Sequence, residues 1–390
     1  AVAEGKTLDE VKKAVDIPMW KQWTGKDQMV PDNIQHVYQE LTRGPLNWLG
    51  DPGVTGPAIV AIPMEKGKER PKLKFLAGTL APDVAAGIRQ LAPNVEIVTA
   101  TSKAEALKLA PQVHGTIGSF VSAEFLREAK DLRWVQQFSA GVEQITFIPE
   151  LQGNDKVVLT NMKRMYGPPI ADHVMAMLLS LVRSLPHYQD LMKKGAWGKG
   201  ADAPFQGELQ GKTMLVVGLG GNGAETAKRA RAFGMTVVAT DPREMAVPIY
   251  VSRLEKPDKL AALLPSADVV VLAAPLTPET TGLFGSAQFS LMKKGSFFIN
   301  IARGKEVDHE AMVQAIRSGT LQGVGLDVTE PEPLPAHHAL WKLPNVIVTP
   351  HVSGQSPGTN GRTKALFLEN MRRFAAGEPL VNVVDKKSGY

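Results

Sequence analysis

The sequence predicts an α/β protein with two doubly wound parallel-sheet domains and an N-terminal extension. Three observations predict this class. Short apolar, strand-like runs alternate with helix-like stretches from Lys72 and again, for longer, from Gly211. The 390 residues exceed what one hydrophobic core usually supports. A glycine-rich turn also lies directly between the first strand and the first helix of the second alternation.

The composition is that of an ordinary globular protein, with 44% hydrophobic and 21% charged residues. The absence of cysteine excludes disulfides, iron–sulfur clusters, thiolate zinc sites and a cysteine nucleophile. His337 and His338 stand together without a metal-ligand spacing to other donors, so we expect no metal site.

Charge and hydropathy limit the expected partners. The net charge of +5 comes from 44 basic and 39 acidic residues spread along the chain, which is no footprint of nucleic-acid binding. The longest apolar runs, "VMAMLLSLV" and "VVVLAAPL", are too short to cross a bilayer, so we expect no membrane association. We expect a cytoplasmic protein, and the start at Ala1 leaves export after signal-peptide removal open.

The first alternation is the shorter of the two. Residues 1–71 differ from it in texture and form the predicted extension, in which we find no chemistry. Four strands are predicted at "KLKFLAG", "VEIVTA", "HGTIGSF" and "RWVQQFS". A long helix follows at "GPPIADHVMAMLLSLVRSL", where Pro168 and Pro169 suit the first turn.

The second alternation predicts six strands in one sheet, at "TMLVV", "MTVVAT", "DVVVLAA", "SFFINIA", "GVGLDV" and "NVIVT". In an open parallel sheet the ligand crevice lies beyond the carboxyl ends of the strands. We therefore expect the residues that follow these strands to meet at one edge. They are Gly218, Asp241, the Ala274–Pro275 turn, Arg303, Glu332 and His351.

The glycine turn "VVGLGGNGAETA" predicts a dinucleotide site. Gly218, Gly220 and Gly223 have the G-x-G-x-x-G spacing that lets a backbone approach a pyrophosphate at a helix N-terminus. The spacing alone is weak, but its strand–turn–helix context favours this interpretation over a chance match. Asp241 ends the next strand, where a carboxylate accepts ribose hydroxyls and repels a 2′-phosphate. NAD is therefore preferred over NADP, although Arg243 could soften that preference, and Asp241 with Pro242 also fits a simple turn.

Arg303, Glu332 and His351 are the predicted catalytic residues. A guanidinium binds a carboxylate with two hydrogen bonds. A protonated imidazole can give a proton to a ketone oxygen while hydride reaches the carbon, and a neighbouring carboxylate orients the ring. Taken alone, Arg303 would more often be a surface ion pair and His351 a structural residue. Their shared position at the strand ends favours catalysis.

With these motifs in order, the chain from about Lys72 resembles the D-isomer-specific 2-hydroxyacid dehydrogenase family, including glyoxylate/hydroxypyruvate reductases. The resemblance rests on "FSAGVEQI", "IADHVMAMLLSLVR", "GKTMLVVGLGGNG", "PLTPETTGLF", "NIARGKEVD", "GLDVTEPEPLP" and "NVIVTPHVSG". It implies a flavodoxin-like substrate domain over 72–185 and a Rossmann NAD-binding domain over 186–352. It also implies a C-terminal helix, 353–390, that returns to the substrate domain.

The resemblance further implies roles for residues. Arg303 would bind the substrate carboxylate and His351 would be the acid/base. Its partner would be Glu332, chosen over Glu330 because it directly precedes proline in the second half of "EPEP". Backbone amides near Ser119, Phe120, Gly141 and Val142 would hold the substrate. The predicted cofactor-binding residues are Gly218, Gly220, Gly223, Asp241, Pro275, Arg303 and Asp327.

The leading hypothesis is an NAD-dependent dehydrogenase that interconverts a small 2-oxo acid and its D-2-hydroxy acid, in a homodimer. Glu332 argues against a formate-oxidising relative, which would have glutamine there. A phosphite dehydrogenase-like enzyme and an NAD-sensing, corepressor-like binding protein stay open. Two departures from the family stand out: Lys163, Arg164 and Tyr166 make one loop bulkier and more charged, and Asp172 replaces a more usual glutamate before His173.

Overall fold

The computed structural model describes residues 70–198 and 206–390, which fold into two parallel β-sheets covered by helices. This confirms the predicted α/β class with two doubly wound domains. The predicted extension lies outside the described residues, apart from Arg70 and Pro71.

The first sheet has five strands in the order β2-β1-β3-β4-β5, all parallel. This is the flavodoxin-like order. The strands are β1 Leu73–Ala77, β2 Val95–Thr99, β3 Gly115–Ile117, β4 Trp134–Gln136 and β5 Val158–Thr160. The helices between them are α1 Pro82–Leu91, α2 Lys103–Leu109, α3 Ala123–Glu128, α4 Glu143–Thr146 and α5 Pro149–Gln152.

The second sheet has seven strands in the order β12-β11-β10-β9-β6-β7-β8. They are β6 Thr213–Val217, β7 Thr236–Thr240, β8 Arg253–Glu255, β9 Val269–Leu272, β10 Ser296–Asn300, β11 Leu321–Leu326 and β12 Val346–Val348. Counted from β6, this is the Rossmann order with one added edge strand. The order reverses between β6 and β9, so the ligand crevice is expected there, above the turn that follows β6.

The helices around the second sheet start with α6 Gly167–Val182 and α7 Leu185–Lys193. Those that follow are α8 Gly221–Ala232, α9 Leu260–Leu263, α10 Ser286–Leu291, α11 His309–Arg317 and α12 Pro357–Ala376. Prolines open α6 as predicted, and the Asp308 side chain accepts N–H bonds at the start of α11.

Helix α6 packs in the core of the second sheet, although it follows the strands of the first. Its buried face, Ile170, Val174 and Leu178 among others, lies in one cluster with Met214 and Val216 of β6. The predicted division of the chain at residue 185 stays a prediction, and this packing favours a junction nearer the start of α6.

Helix α12 returns to the first sheet. Phe367 and Phe374 lie within 5.1–6.2 Å, between ring centroids, of Trp134 on β4. The segment after α12 then pairs with β5, because Val384 donates its N–H to the Leu159 carbonyl at 2.8 Å. The C-terminal part of the chain therefore completes the core of the first sheet.

Candidate active site

The glycine turn lies between β6 and α8, at the switch point of the sheet, and two of its three glycines have a steric reason to be there. Gly218 has φ of 93°, a left-handed conformation that favours glycine. A Cβ on Gly223 would lie 2.0 Å from the Gly218 carbonyl oxygen, so only glycine lets α8 start this close to the strand. Around Gly220, by contrast, nothing lies within 4 Å of where a Cβ would be. The turn thus leaves open space at a helix N-terminus, which fits a cofactor pyrophosphate.

Asp241 is placed at the end of β7 as predicted, but its carboxylate is saturated by the protein. It accepts the Leu219 N–H at 2.9 Å and the Arg243 backbone N–H at 3.0 Å. The Arg243 guanidinium adds two more bonds, from Nε at 2.8 Å and Nη2 at 2.9 Å. Asp241 is 4% exposed and the Arg243 side chain 43% exposed, so Arg243 is the more accessible of the two.

The structure brings His351 and Glu332 into direct contact. The distance from His351 Nδ1 to Glu332 Oε2 is 3.1 Å, and both side chains are partly exposed. Glu332 is fixed in turn by the Thr329 N–H, which donates to Oε1 at 3.1 Å. His351 has φ of 54°, and its N–H donates to the Asp327 carbonyl at 2.8 Å. A histidine whose Nδ1 is held by a carboxylate keeps Nε2 for a proton transfer.

Asp327 lies beneath this pair rather than in an open groove. It is 1% exposed, and its carboxylate accepts N–H bonds from Val352 and Ser353 and an O–H bond from Thr349 at 2.6 Å. The Thr349 hydroxyl also lies 2.9 Å from His173 Nε2, on helix α6. With its oxygens engaged in this way, Asp327 holds the His351 loop, and its predicted contact with the cofactor stays a prediction.

Arg303 follows β10, and its loop packs directly on the loop that carries Glu332. A Cβ on Gly304 would lie 2.0 Å from the carbonyl atoms of Thr329, so glycine permits this approach. Thr329 in turn binds Glu332. A chain of contacts therefore links the three predicted catalytic residues at one edge of the sheet, and the structure places them as the strand order predicted.

The first domain contributes the opposite side of the cleft. Ser119 and Phe120 follow β3, and Gly141 and Val142 follow β4, so all four lie at the carboxyl ends of neighbouring strands. Gly141 lies against Arg303: a Cβ there would be 1.8 Å from Nη2. Ser119 is exposed, whereas Phe120 and Val142 are buried. Of Phe120 and Val142, therefore, only the backbone groups are suited to bind a substrate.

Two carboxyl groups beside Arg303 escaped the sequence analysis. Glu143, the first residue of α4, accepts a hydrogen bond from Arg303 Nε at 2.6 Å. Glu306 accepts one from the Arg303 backbone N–H at 2.9 Å and is fully buried. Glu143 stands in the quoted motif "FSAGVEQI", which is the only signal that could have pointed to it.

The charged loop 161–166 lies at the junction of the two domains. Arg164 has φ of 73°, and its backbone packs on Gly221, where a Cβ would lie 2.7 Å from the Arg164 Cα. Lys163 donates to the Val383 carbonyl at 2.8 Å, and its burial lowers its pKa to about 8. Tyr166 donates from its hydroxyl to the Phe138 carbonyl. The bulky and charged residues of this loop thus make contacts with other segments of the chain.

None of the helices in 70–198 and 206–390 is long and apolar enough to span a membrane. Within the same ranges, no group of three or more histidine and carboxylate side chains is arranged to hold a metal ion.

Comparisons with known proteins agree with this architecture. Residues 175–353 match the family model described as D-isomer specific 2-hydroxyacid dehydrogenase, NAD binding domain. A glyoxylate reductase of Thermofilum pendens is 32% identical over 270 residues, 68% of this chain and 79% of the relative. A D-3-phosphoglycerate dehydrogenase of Archaeoglobus fulgidus is 33% identical over 302 residues, 76% of this chain and 56% of the relative. This chain thus spans little more than half the length of the phosphoglycerate relative.

Solved structures give the same result. The D-isomer specific 2-hydroxyacid dehydrogenase of Xanthobacter autotrophicus, in complex with NADPH and MES, superposes with a TM-score of 0.70 at 27% identity. The match covers 82% of this chain and all of that one.

The fold and these matches define a two-domain protein whose Rossmann domain binds NAD(P). The chain belongs to the D-isomer specific 2-hydroxyacid dehydrogenase family. The predicted family and fold are thereby confirmed, and the cofactor is confirmed as NAD(P).

Proposed function

We propose that this protein interconverts small 2-oxo acids and D-2-hydroxy acids with a nicotinamide cofactor. The observation that carries the proposal is the contact between His351 Nδ1 and Glu332 Oε2, at 3.1 Å. This contact lies at the same edge of the sheet as Arg303. A histidine–carboxylate pair supplies the proton for ketone reduction, and an arginine nearby supplies the binding site for the substrate's carboxylate. The family membership supports the same reaction class.

In this proposal the bound cofactor supplies or accepts the hydride. Protonated His351 donates its Nε2 proton to the carbonyl oxygen of the 2-oxo acid, and Glu332 holds the ring at Nδ1. In the reverse direction, neutral His351 takes the proton from the hydroxyl group. Arg303 binds the carboxylate, so the carbonyl carbon is held at a fixed position between the two domains.

Several finer points belong to the same proposal. Backbone N–H groups near Ser119 and Gly141 orient the substrate from the first domain. The assembly is a homodimer joined through the nucleotide-binding domains, and the compartment is the cytoplasm, where free NAD is found. The preference between NADH and NADPH depends on Asp241 and Arg243.

The decisive experiment is a substrate panel. Glyoxylate, hydroxypyruvate and pyruvate are each incubated with NADH and with NADPH, and cofactor oxidation is followed by absorbance. We expect turnover of at least one acid at roughly 1 per second or faster, and D-glycerate as the product from hydroxypyruvate. Binding of the cofactor without turnover of any 2-oxo acid would contradict the proposal and favour a corepressor-like role. A parallel arm with phosphite and NAD⁺ tests the phosphite-oxidising alternative.

A further inference from the structure

Two carboxyl groups hold Arg303 from different directions. Glu306 holds its backbone N–H at 2.9 Å from within the second domain. Glu143 holds Nε of the side chain at 2.6 Å from the first domain. Nη1 donates to the Ala302 carbonyl at 2.7 Å. Of the five guanidinium N–H groups, one on Nη1 and two on Nη2 remain for a substrate.

Glu306 is unusual because a carboxyl group is rarely buried without full hydrogen bonding. It is 0% exposed, and its Oε1 has no hydrogen-bond partner among the described residues. Burial raises its pKa to about 8, opposed by the Arg303 N–H and charge and reinforced by the charge of Glu143. The hydroxyl of Thr280 also faces this carboxyl group. Near neutral pH the group is therefore uncharged.

We propose that Glu306 is a positioning residue for Arg303. The buried carboxyl of Glu306 fixes the arginine backbone N–H and leaves the guanidinium to be shared by Glu143 and a monoanionic 2-oxo acid. This inference rests on the proposed function in one respect, because the proposed function is what makes a 2-oxo acid the ligand of Arg303. Glu306 itself does not touch the substrate, and it acts through the position and the electrostatic environment of Arg303.

The charges around Arg303 explain why the uncharged form matters. Near neutral pH, the positive charge of Arg303 is balanced by Glu143, and Glu306 adds nothing. An acid with a raised pKa is neutral below that pKa and negative above it. As the pH rises through about 8, Glu306 therefore becomes negative. The summed charge of Arg303, Glu143 and Glu306 is then negative even before a substrate binds. Binding of a substrate carboxylate then weakens, because the carboxylate and ionised Glu306 are both negative and water screens their repulsion poorly in this buried region.

The test compares Glu306→Gln and Glu306→Ala with the wild type. Glutamine can still accept the Arg303 N–H bond but cannot ionise, whereas alanine does neither. The ligand is oxamate, an unreactive analogue of a 2-oxo acid with one carboxylate. Its Kd for the protein–NADH complex is measured by calorimetry from pH 6.5 to 9.5. The Kd of NADH alone, measured in parallel, reports whether the nucleotide site is intact.

For the wild type we expect the oxamate Kd to rise about tenfold more between pH 7 and 9.5 than it does for Glu306→Gln. All other ionisable groups are the same in both proteins, so the difference isolates Glu306. At pH 7, Glu306→Gln should match the wild type within threefold, and Glu306→Ala should bind oxamate about tenfold more weakly. Glu310→Gln removes an exposed carboxylate in the same segment and should behave as the wild type.

An alkaline weakening in Glu306→Gln as large as in the wild type would overturn the inference. So would an oxamate Kd in Glu306→Ala equal to that of the wild type. Because the readout is binding, these outcomes are separate from the substrate panel. If oxamate binds and responds as expected but no 2-oxo acid is turned over, the proposed function fails while the role of Glu306 stands.

Discussion

At the end of β7, the carboxylate of Asp241 accepts four hydrogen bonds from the protein, two of them from the Arg243 guanidinium. A carboxylate occupied in this way can accept ribose hydroxyls only if Arg243 moves. Under the proposed function, the preference between the two nicotinamide cofactors depends on this charge pair, because Asp241 would repel a 2′-phosphate and Arg243 would attract it.

We predict that substitutions at the two positions shift cofactor preference in opposite directions. Asp241→Ala leaves Arg243 without its counter-charge and should move the ratio of kcat/KM values about tenfold toward NADPH. Arg243→Ala exposes the Asp241 carboxylate and should move the ratio about tenfold toward NADH. Steady-state kinetics with both cofactors and one 2-oxo acid measure this ratio. Shifts in the same direction, or none, would show that the pair does not face the ribose.

Single residues differ in how far the sequence reveals them. Gly218, Gly223 and His351 could be placed because each follows an apolar strand, and the edge of a parallel sheet brings strand ends together. Glu306 could not, although it stands in the quoted motif "NIARGKEVD", because only the fold shows that its side chain is buried beside Arg303. The type of residue and its spacing predict a strand end, but the direction of a side chain depends on packing around it.

At the scale of elements, helix α6 is tied to the His351 loop through one hydroxyl. Thr349 Oγ1 donates to Asp327 at 2.6 Å and lies 2.9 Å from His173 Nε2 on α6. Thr349 is the residue after β12 and lies two positions before His351. The helix thus helps to fix the loop that carries His351.

We predict that Thr349→Val, which keeps the shape of the side chain but not the hydroxyl, lowers the free energy of unfolding by about 2 kcal/mol. The reason is that it leaves a buried Asp327 oxygen with one partner fewer. Urea unfolding followed by circular dichroism measures the change. Thr236→Val, at an exposed position at the start of β7, is the matched control and should cost less than about 0.5 kcal/mol. Equal stabilities of the two variants would exclude a role for the network.

The elements themselves were predicted unevenly. The long helix α6 was recognised from its apolar periodicity and its two prolines, and its predicted face is buried. Two strands were missed, β5 Val158–Thr160 and β8 Arg253–Glu255. Each has only three residues, a stretch too short to show a periodic pattern by itself.

In the whole molecule, contacts between the two domains converge on the glycine turn and on Arg303. Arg164 of the junction loop packs on Gly221, and Glu143 of the first domain binds Arg303 of the second. The composition predicted two domains but not these contacts, since they depend on how one sheet faces the other. The substrate carboxylate would bind where the domains meet, so its binding and the domain contact share Arg303.

The measurement that tests the central claim most directly follows a label from cofactor to product. The cofactor is NADH carrying deuterium at C4, on the face that is transferred. Wild type, His351→Ala and the exposed-histidine control His337→Ala are incubated with the 2-oxo acid that is turned over fastest, and the product is analysed by mass spectrometry. We predict one deuterium at C2 of the hydroxy acid for wild type and control. For His351→Ala we predict a rate at least about 100-fold lower, with NADH affinity unchanged. Labelled product formed by His351→Ala at the wild-type rate would contradict the account.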